Sequence, residues 1–264
     1  MPKHLSPEQW WHGLLTGENP AFPWRYARHF LRLIPTGPRC KFCNAPYHGI
    51  GAPLMHLIGQ GPSRLSPQLC MRCHSYASRY LGGAEVELTM LFADVRGSTT
   101  LAEKMNPAEF GKLISRFFAV ASDVIINSQA LLDRLVGDQV IGLYIPGITG
   151  QSHKYLAVQA AKDLLLATGH GSTAGPWIPV GIGIHTGVAF VGSVGDVGIA
   201  TDITVLGDAA NTAARLSSSA AMGEILISEN AVLPELNPAE LETRQLQLKG
   251  KSQPVNVHVL KQYS

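Results

Sequence analysis

From Val86 onward the spacing of apolar residues switches between two and 3.6, and the order of the switches restricts the fold more than any other feature. Val86, Leu88, Met90 and Phe92 alternate as a strand. Asn106-Pro107-Ala108-Glu109 reads as a helix start: a capping Asn, Pro at the first helical position and Glu three after the cap. Phe110, Leu113, Ile114, Phe117, Ala121, Val124 and Ile125 then line one helical face. Apolar runs at 131–136 and 140–145 flank Gly137-Asp138, which predicts a hairpin. Ser152 opens another helix, with Leu156, Ala160, Leu164 and Leu165 inward and Gly169 near its end. Runs at 180–185 and 188–194 predict a second hairpin around Thr186-Gly187. A small-residue helix at 209–217 and strands at 224–227 and 255–260 complete the pattern. The order strand–helix–strand–strand–helix–strand is the split βαβ plan of an α+β, ferredoxin-like core.

Residues 1–82 read differently from 84–264 and are expected to form a small separate module, with Gly82-Gly83 as the hinge. All four cysteines lie there, as Cys40-Lys41-Phe42-Cys43 and Cys70-Met71-Arg72-Cys73. Each C-x₂-C knuckle presents two thiolates from one tight turn, and two knuckles complete a tetrahedral sulfur site. Zn²⁺ is the leading ligand, and a 4Fe–4S cluster, which uses the same four thiolates, is its main rival; the sequence separates them poorly. Cys70 to His74 also matches the C-x-x-C-H pattern of haem attachment, which belongs outside the cytoplasm. The bland alternative is four buried free cysteines. Trp10, Trp11, Phe22, Trp24, Tyr26 and Phe30 are candidates to cover the module or a dimer seam.

The remaining composition mostly excludes. A net charge of +2 in 264 residues gives no basis for a nucleic-acid or membrane partner. No apolar run approaches the length of a membrane span, and the first 30 residues hold tryptophans and arginines where an export signal needs an apolar core. A cytoplasmic setting is expected, and its reducing conditions favour metal over disulfide as the use of the cysteines.

Chemistry enters with two carboxylates. Asp94 ends the first strand and opens the loop Val95-Arg96-Gly97-Ser98-Thr99, while Asp138 sits in the first hairpin turn. A strand end and a neighbouring hairpin turn can place both carboxylates at one point, beside loop N–H groups suited to a polyphosphate. Phe92 to Thr99 resembles the first metal motif of class III nucleotidyl cyclases, and Leu135-Val136-Gly137-Asp138 resembles the second. The stretch from Val205 to Arg215 is similar to their helix carrying an Asn and an Arg, and Leu248-Lys249-Gly250-Lys251 to their C-terminal lysine motif. The four motifs stand in the family's order and cover about residues 84–260.

The resemblance implies a reaction in which the 3′-hydroxyl of ATP attacks its own α-phosphate, giving 3′,5′-cyclic AMP and pyrophosphate. It implies two Mg²⁺ or Mn²⁺ ions on Asp94, Asp138 and the Val95 carbonyl, and phosphate contacts from Arg96, Gly97, Ser98 and Thr99. Asn211 would orient the ribose and Arg215 would neutralise charge at the α-phosphate; the two are four apart and share a helix face. Lys249, with Lys251 as second choice, would bind the outer phosphates. In the family the aspartates and the Asn, Arg and Lys come from different chains, which implies a homodimer with two equivalent sites. Arg134 and Thr204 stand at the two base-contacting positions. Arg134 only donates hydrogen bonds, which suits adenine N1 better than guanine N1–H. Val188 stands where some relatives carry a phosphate-binding arginine.

Rival readings have different weights. A diguanylate-type cyclase would also place two carboxylates on this core, but the second acidic residue expected in its hairpin is missing. A catalytically weak or silent module, binding nucleotide or sensing redox state or metal, keeps the same fold. His185, after an apolar strand, reads as structural.

Overall fold

The computed structural model describes residues 6–18, 30–31, 37–196, 200–236 and 241–261. The described elements open with the helices α1 (Pro7–Thr16), α2 (Ala52–Leu57) and α3 (Met71–Arg79). Then follow β1 (Gly82–Val95), α4 (Ser98–Lys104), α5 (Pro107–Asn127), β2 (Leu131–Val136), β3 (Gln139–Tyr144) and α6 (His153–Ala167). The chain continues through β4 (Val180–Asp196), β5 (Ala200–Leu206), α7 (Asp208–Ser219), β6 (Glu224–Ser228), β7 (Glu242–Leu246) and β8 (Val255–Lys261). Two compact units divide these elements: Met1–Val86 with Pro146–Gly150 and Phe190–Val205, and Glu87–Ile145 with Gln151–Ala189 and Leu206–Ser264.

The strands form one sheet in the order β2-β3-β1-β4-β6-β8-β7, with β5 paired to β4. Its first four members reproduce the expected ferredoxin-like arrangement, because β3 returns antiparallel between β2 and β1. The 131–144 hairpin forms as expected, and Gly137 takes the positive φ (62°) that its turn demands. Asn106 caps α5 by accepting the Glu109 N–H at 2.9 Å. Ile114, Phe117, Ala121 and Ile125 of α5 are buried against Leu91, Val140, Leu164 and Ile182. Phe110, Leu113 and Val124 pack partly buried at the margin of that core. Ser152 sits at the N-cap of α6, with no side-chain capping bond.

One expectation is corrected. Thr186-Gly187 is not a turn, because β4 runs unbroken from Val180 to Asp196. The buried Thr186 hydroxyl bonds Thr89 Oγ1 at 2.8 Å, and Thr89 in turn bonds His153 Nδ1 at 2.8 Å. Gly187 is small for another reason: a Cβ there would stand 3.0 Å from the Ala209 Cβ. Besides β1 and β6, β4 pairs with β5, a strand that the apolar pattern does not announce; nor does it announce β7. Gly82-Gly83 opens β1, where a Cβ on Gly83 would stand 2.3 Å from the Val191 carbonyl oxygen.

The first unit is organised around the knuckles. Trp11 is fully buried and meets Phe42 edge-on at 6.0 Å, while Trp10 lies 4.3 Å from Tyr76. The Trp11 indole donates to the Tyr80 carbonyl at 3.4 Å. These two tryptophans therefore cover the module as expected. Phe30 is exposed, and Phe22, Trp24 and Tyr26 lie outside the described residues.

Candidate active site and metal centre

Asp94 pairs in register with Gln139, and the Val95 N–H donates to the Asp138 carbonyl at 3.3 Å. The ladder thus brings a strand end and the neighbouring hairpin turn together, and with them the two carboxylates. Burial pushes the Asp94 carboxyl above its ordinary range; the Asp138 carboxylate beside it pushes the same way, and Arg96 opposes. Two mutually repelling, half-buried carboxylates are a fitting donor set for a hard divalent cation.

Arg96 supplies the positive charge at this point. Its guanidinium forms an ion pair with Asp94 and donates to the Ser218 carbonyl at 2.8 Å. Its backbone N–H donates to the Pro179 carbonyl at 2.8 Å, so that group is already engaged. Ser98 and Thr99 open α4, where N–H groups have no intrahelical acceptor. Gly97 allows this sharp entry by taking φ of 67°.

A second cluster forms toward the start of α7. Asp208 and Lys251 make an ion pair that holds the Asp208 carboxyl below its usual range, helped by the charge of Arg215. Gly250 approaches Arg215 so closely that a Cβ would lie 3.3 Å from Nη2. Asn211 is exposed and Arg215 half-buried on the same helix, while Lys249 is exposed. Ser218, which Arg96 touches, lies seven residues beyond Asn211, or roughly 10 Å along the helix axis. His185 bonds Ser228 Oγ at 2.8 Å, and burial lowers its pKa to about 4, as a structural residue requires. Thr204 is buried, and the Arg134 side chain lies outside the described residues.

Sequence reasoning names Arg96 as a phosphate contact but not its ion pair with Asp94, and it does not single out Asp208. Asp208 has one local signal, the Gly-Asp pair before a small-residue helix. Its partner Lys251 is 43 residues away, which no local pattern conveys.

The four cysteine sulfurs all lie within 4.8 Å of one another and are buried, a cluster that could hold a metal ion. None is in a disulfide. The Cys70 N–H donates to Cys40 Sγ at 3.2 Å, and the Cys73 N–H to Cys70 Sγ at 3.4 Å. Cys70 is also the N-cap of α3, so the helix start orients the second knuckle. Among the crowded thiols Cys40 and Cys70 are drawn below the ordinary range. Burial opposes this in Cys40, and hydrogen bonds from its neighbours outweigh it. Burial, then the negative charges of Cys40 and Cys70, hold the Tyr47 phenol above its usual range.

Comparison with known proteins agrees with the fold. The family described as the adenylate and guanylate cyclase catalytic domain matches residues 84–262. The chain belongs to this family of class III cyclases. An adenylate cyclase of Anabaena cylindrica is 32% identical over 184 residues, covering 66% of this chain and 36% of that protein. The chain thus spans about a third of the length of such curated relatives. Among solved structures, the guanylyl cyclase Cya2 has a TM-score of 0.60 at 28% identity, covering 68% of this chain and 93% of its own. The adenylyl cyclase CyaB from P. aeruginosa has a TM-score of 0.56 at 27% identity, covering 67% and 95%. Among the described residues no helix is long and apolar enough to cross a membrane.

Proposed function

We propose that this chain converts ATP to 3′,5′-cyclic AMP and pyrophosphate at the interface of a homodimer. The observation that carries the reading is the facing pair Asp94 and Asp138, held together by the β1–β3 ladder. Both carboxylates and the Val95 carbonyl are the groups that would hold two Mg²⁺ or Mn²⁺ ions. Bound there, the ions supply charge that acidifies the ribose 3′-hydroxyl and stabilises the departing pyrophosphate.

The chain's own residues do the rest. Gly97, Ser98 and Thr99 offer backbone N–H groups to phosphate oxygens at the opening of α4. Asn211 orients the ribose, so that O3′ forms its bond to the α-phosphorus in line with the breaking bond to the β-phosphate. The leaving electron pair departs on pyrophosphate, and Arg215 offsets the charge that builds on the α-phosphoryl oxygens. Lys249 and Lys251 meet the outer phosphates, with Lys251 released from Asp208 to do so.

Two copies share each site in this reading, with the aspartates from one and Asn211, Arg215 and the lysines from the other. In support, Arg215 exerts its charge on Asp208, whereas Asp94 responds to Arg96 and Asp138. Arg134 and Thr204 select the base: Arg134 donates to adenine N1 and the Thr204 hydroxyl accepts from N6. Guanine would turn a donor toward Arg134 and leave both unpaired, at a cost of about 1–3 kcal/mol, or roughly 5- to 150-fold in preference.

The test is incubation of purified protein with each of the four nucleoside triphosphates and Mg²⁺ or Mn²⁺, with products read by mass spectrometry. ATP is expected to be used at least about 5-fold faster than GTP. Faster turnover of GTP, CTP or UTP would end the base assignment while leaving a cyclase. Nucleotide binding with no cyclic product from any of the four would instead favour a silent binding module, a reading to which the Arg96–Asp94 ion pair lends some weight.

A further inference from the structure

Within the cysteine module, the spacing of the sulfurs distinguishes between kinds of metal. Around one tetrahedral Zn²⁺, with Zn–S bonds of about 2.3 Å, thiolates stand about 3.8 Å apart. Cys43 and Cys70 sulfurs are 3.7 Å apart, and the whole set lies within 4.8 Å. In a 4Fe–4S cluster each thiolate binds its own iron, so a metal–metal edge separates any two cysteines and the sulfurs spread wider. The cage is also closed. Cys40 and Cys70 are 0% exposed, Cys43 2% and Cys73 4%, which leaves no open position for a substrate or water.

A second observation points to an ion in the same place. Tyr47 is 5% exposed, and its hydroxyl makes no hydrogen bond of ordinary geometry to an oxygen or nitrogen of the protein. A buried unpaired hydroxyl costs about 1–3 kcal/mol, so its position calls for an acceptor. The Tyr47 N–H donates to the Pro38 carbonyl at 3.0 Å and the Cys40 N–H to the Ala45 carbonyl at 3.0 Å, so the backbone turn holds Tyr47 beside the first knuckle. A neutral thiol is a poor acceptor, whereas a metal-bound thiolate is a good one. One Zn²⁺ with four thiolates carries two excess negative charges, which need donors to spread them. The N–H groups of Cys70 and Cys73 already serve in that way, and both point at sulfur.

We propose that Cys40, Cys43, Cys70 and Cys73 hold a single structural Zn²⁺, and that Tyr47 Oη donates a hydrogen bond to the Cys40 thiolate of that site. The module is then a closed, redox-inert clip. Tyr47 is a positioning residue, holding the charge and orientation of a ligand without touching the metal. This inference stands apart from the cyclase reading, since no catalytic residue enters it.

The test uses the full chain, purified gently without added metal, and elemental analysis. The expected result is one zinc per chain, little iron and a colourless protein. A brown protein with several irons and acid-labile sulfide would overturn the single-ion site. One iron without sulfide would overturn zinc. No metal, with four freely titrating thiols, would overturn the site altogether. Tyr47→Phe, which keeps the ring, should retain one zinc per chain but release it to a chelator roughly 10-fold faster. In the Co²⁺-substituted protein the same variant should shift the thiolate-to-cobalt charge-transfer band. Release at the wild-type rate with an unshifted band would refute the Tyr47 hydrogen bond and leave the zinc site standing.

Discussion

The carboxylate pair and the sulfur cage are built on opposite principles. Asp94 and Asp138 are hard oxygen donors, half-open to solvent, brought together by a strand pair and repelling each other. The cysteines are soft donors, buried on every side, with backbone N–H groups already aimed at sulfur. An open oxygen site can exchange an ion and reach a substrate. A closed sulfur site keeps its ion and holds the chain around it. The contrast teaches that the donor atom and its access to water separate a catalytic site from a structural one, even before any ligand is considered.

The comparison breaks most easily at the carboxylates. Asp94→Ala and Asp138→Ala should each lower cyclic nucleotide formation by about 10²–10³-fold or more, while the metal of the cysteine module stays in place. Product assays in Mn²⁺ run beside elemental analysis check both halves; turnover equal to wild type would remove the pair from the chemistry. Cys40→Ser should do the reverse to structure. Without its ion the module loses the centre it folds around, and limited proteolysis should cut within residues 37–79 before the rest of the chain.

Mixing sharpens the idea of shared sites. Asp94→Ala and Arg215→Ala, each inactive alone, should recover up to about a quarter of wild-type activity when subunits exchange. Half the dimers are then mixed, and each has one intact site of two. No recovery, with exchange verified by tagged subunits, argues that each chain carries a whole site.

The smallest expected effect is on stability. Because the Asp94 pKa is raised, the native chain holds that proton more tightly than the unfolded chain. Stability therefore falls as pH rises from about 4, the unfolded value, through the raised native one. Asp94→Asn removes the penalty and should raise the midpoint of thermal unfolding at pH 7 without divalent ions. The gain should vanish in acid below about pH 4, and Mn²⁺ should stabilise the wild type more than the variant. A midpoint unchanged across this range would mean that Arg96 fully neutralises Asp94.

Much of this was legible in the chain, for reasons that can be named. The α5 face and the β2–β3 hairpin carry strong local signals: a capping Asn, a helical apolar stripe, and a glycine where the turn needs positive φ. Asp138 sits in that hairpin turn, and Asp94 ends the alternating strand β1 that pairs with it. The Thr186-Gly187 turn misled because its polarity is local and its explanation is not; the Thr186 partner, Thr89, lies 97 residues away. Strand β7 hid for a related reason. Glu242 and Arg244 meet Glu224 and Lys261 through charge, so the strand shows no apolar alternation. Whether the Arg96 guanidinium turns toward a phosphate or back to Asp94 and Ser218 depends on where α7 ends, and no spacing in the sequence states that.

The place of β8 has a consequence for how this protein is made. It lies between β6 and β7, bonding Val257 to Ser228 on one side and to Arg244 on the other. Both neighbours leave the ribosome before it does. Until 255–261 emerges, β6 and β7 each present an unpaired edge, the kind of surface that recruits strands from other chains. Synthesis therefore passes through an interval in which most of the sheet exists and its last seam is open. A chain truncated before Val255 should be a client for chaperones and prone to aggregate, whereas one that extends past Lys261 and is clear of the ribosome closes the seam with β8.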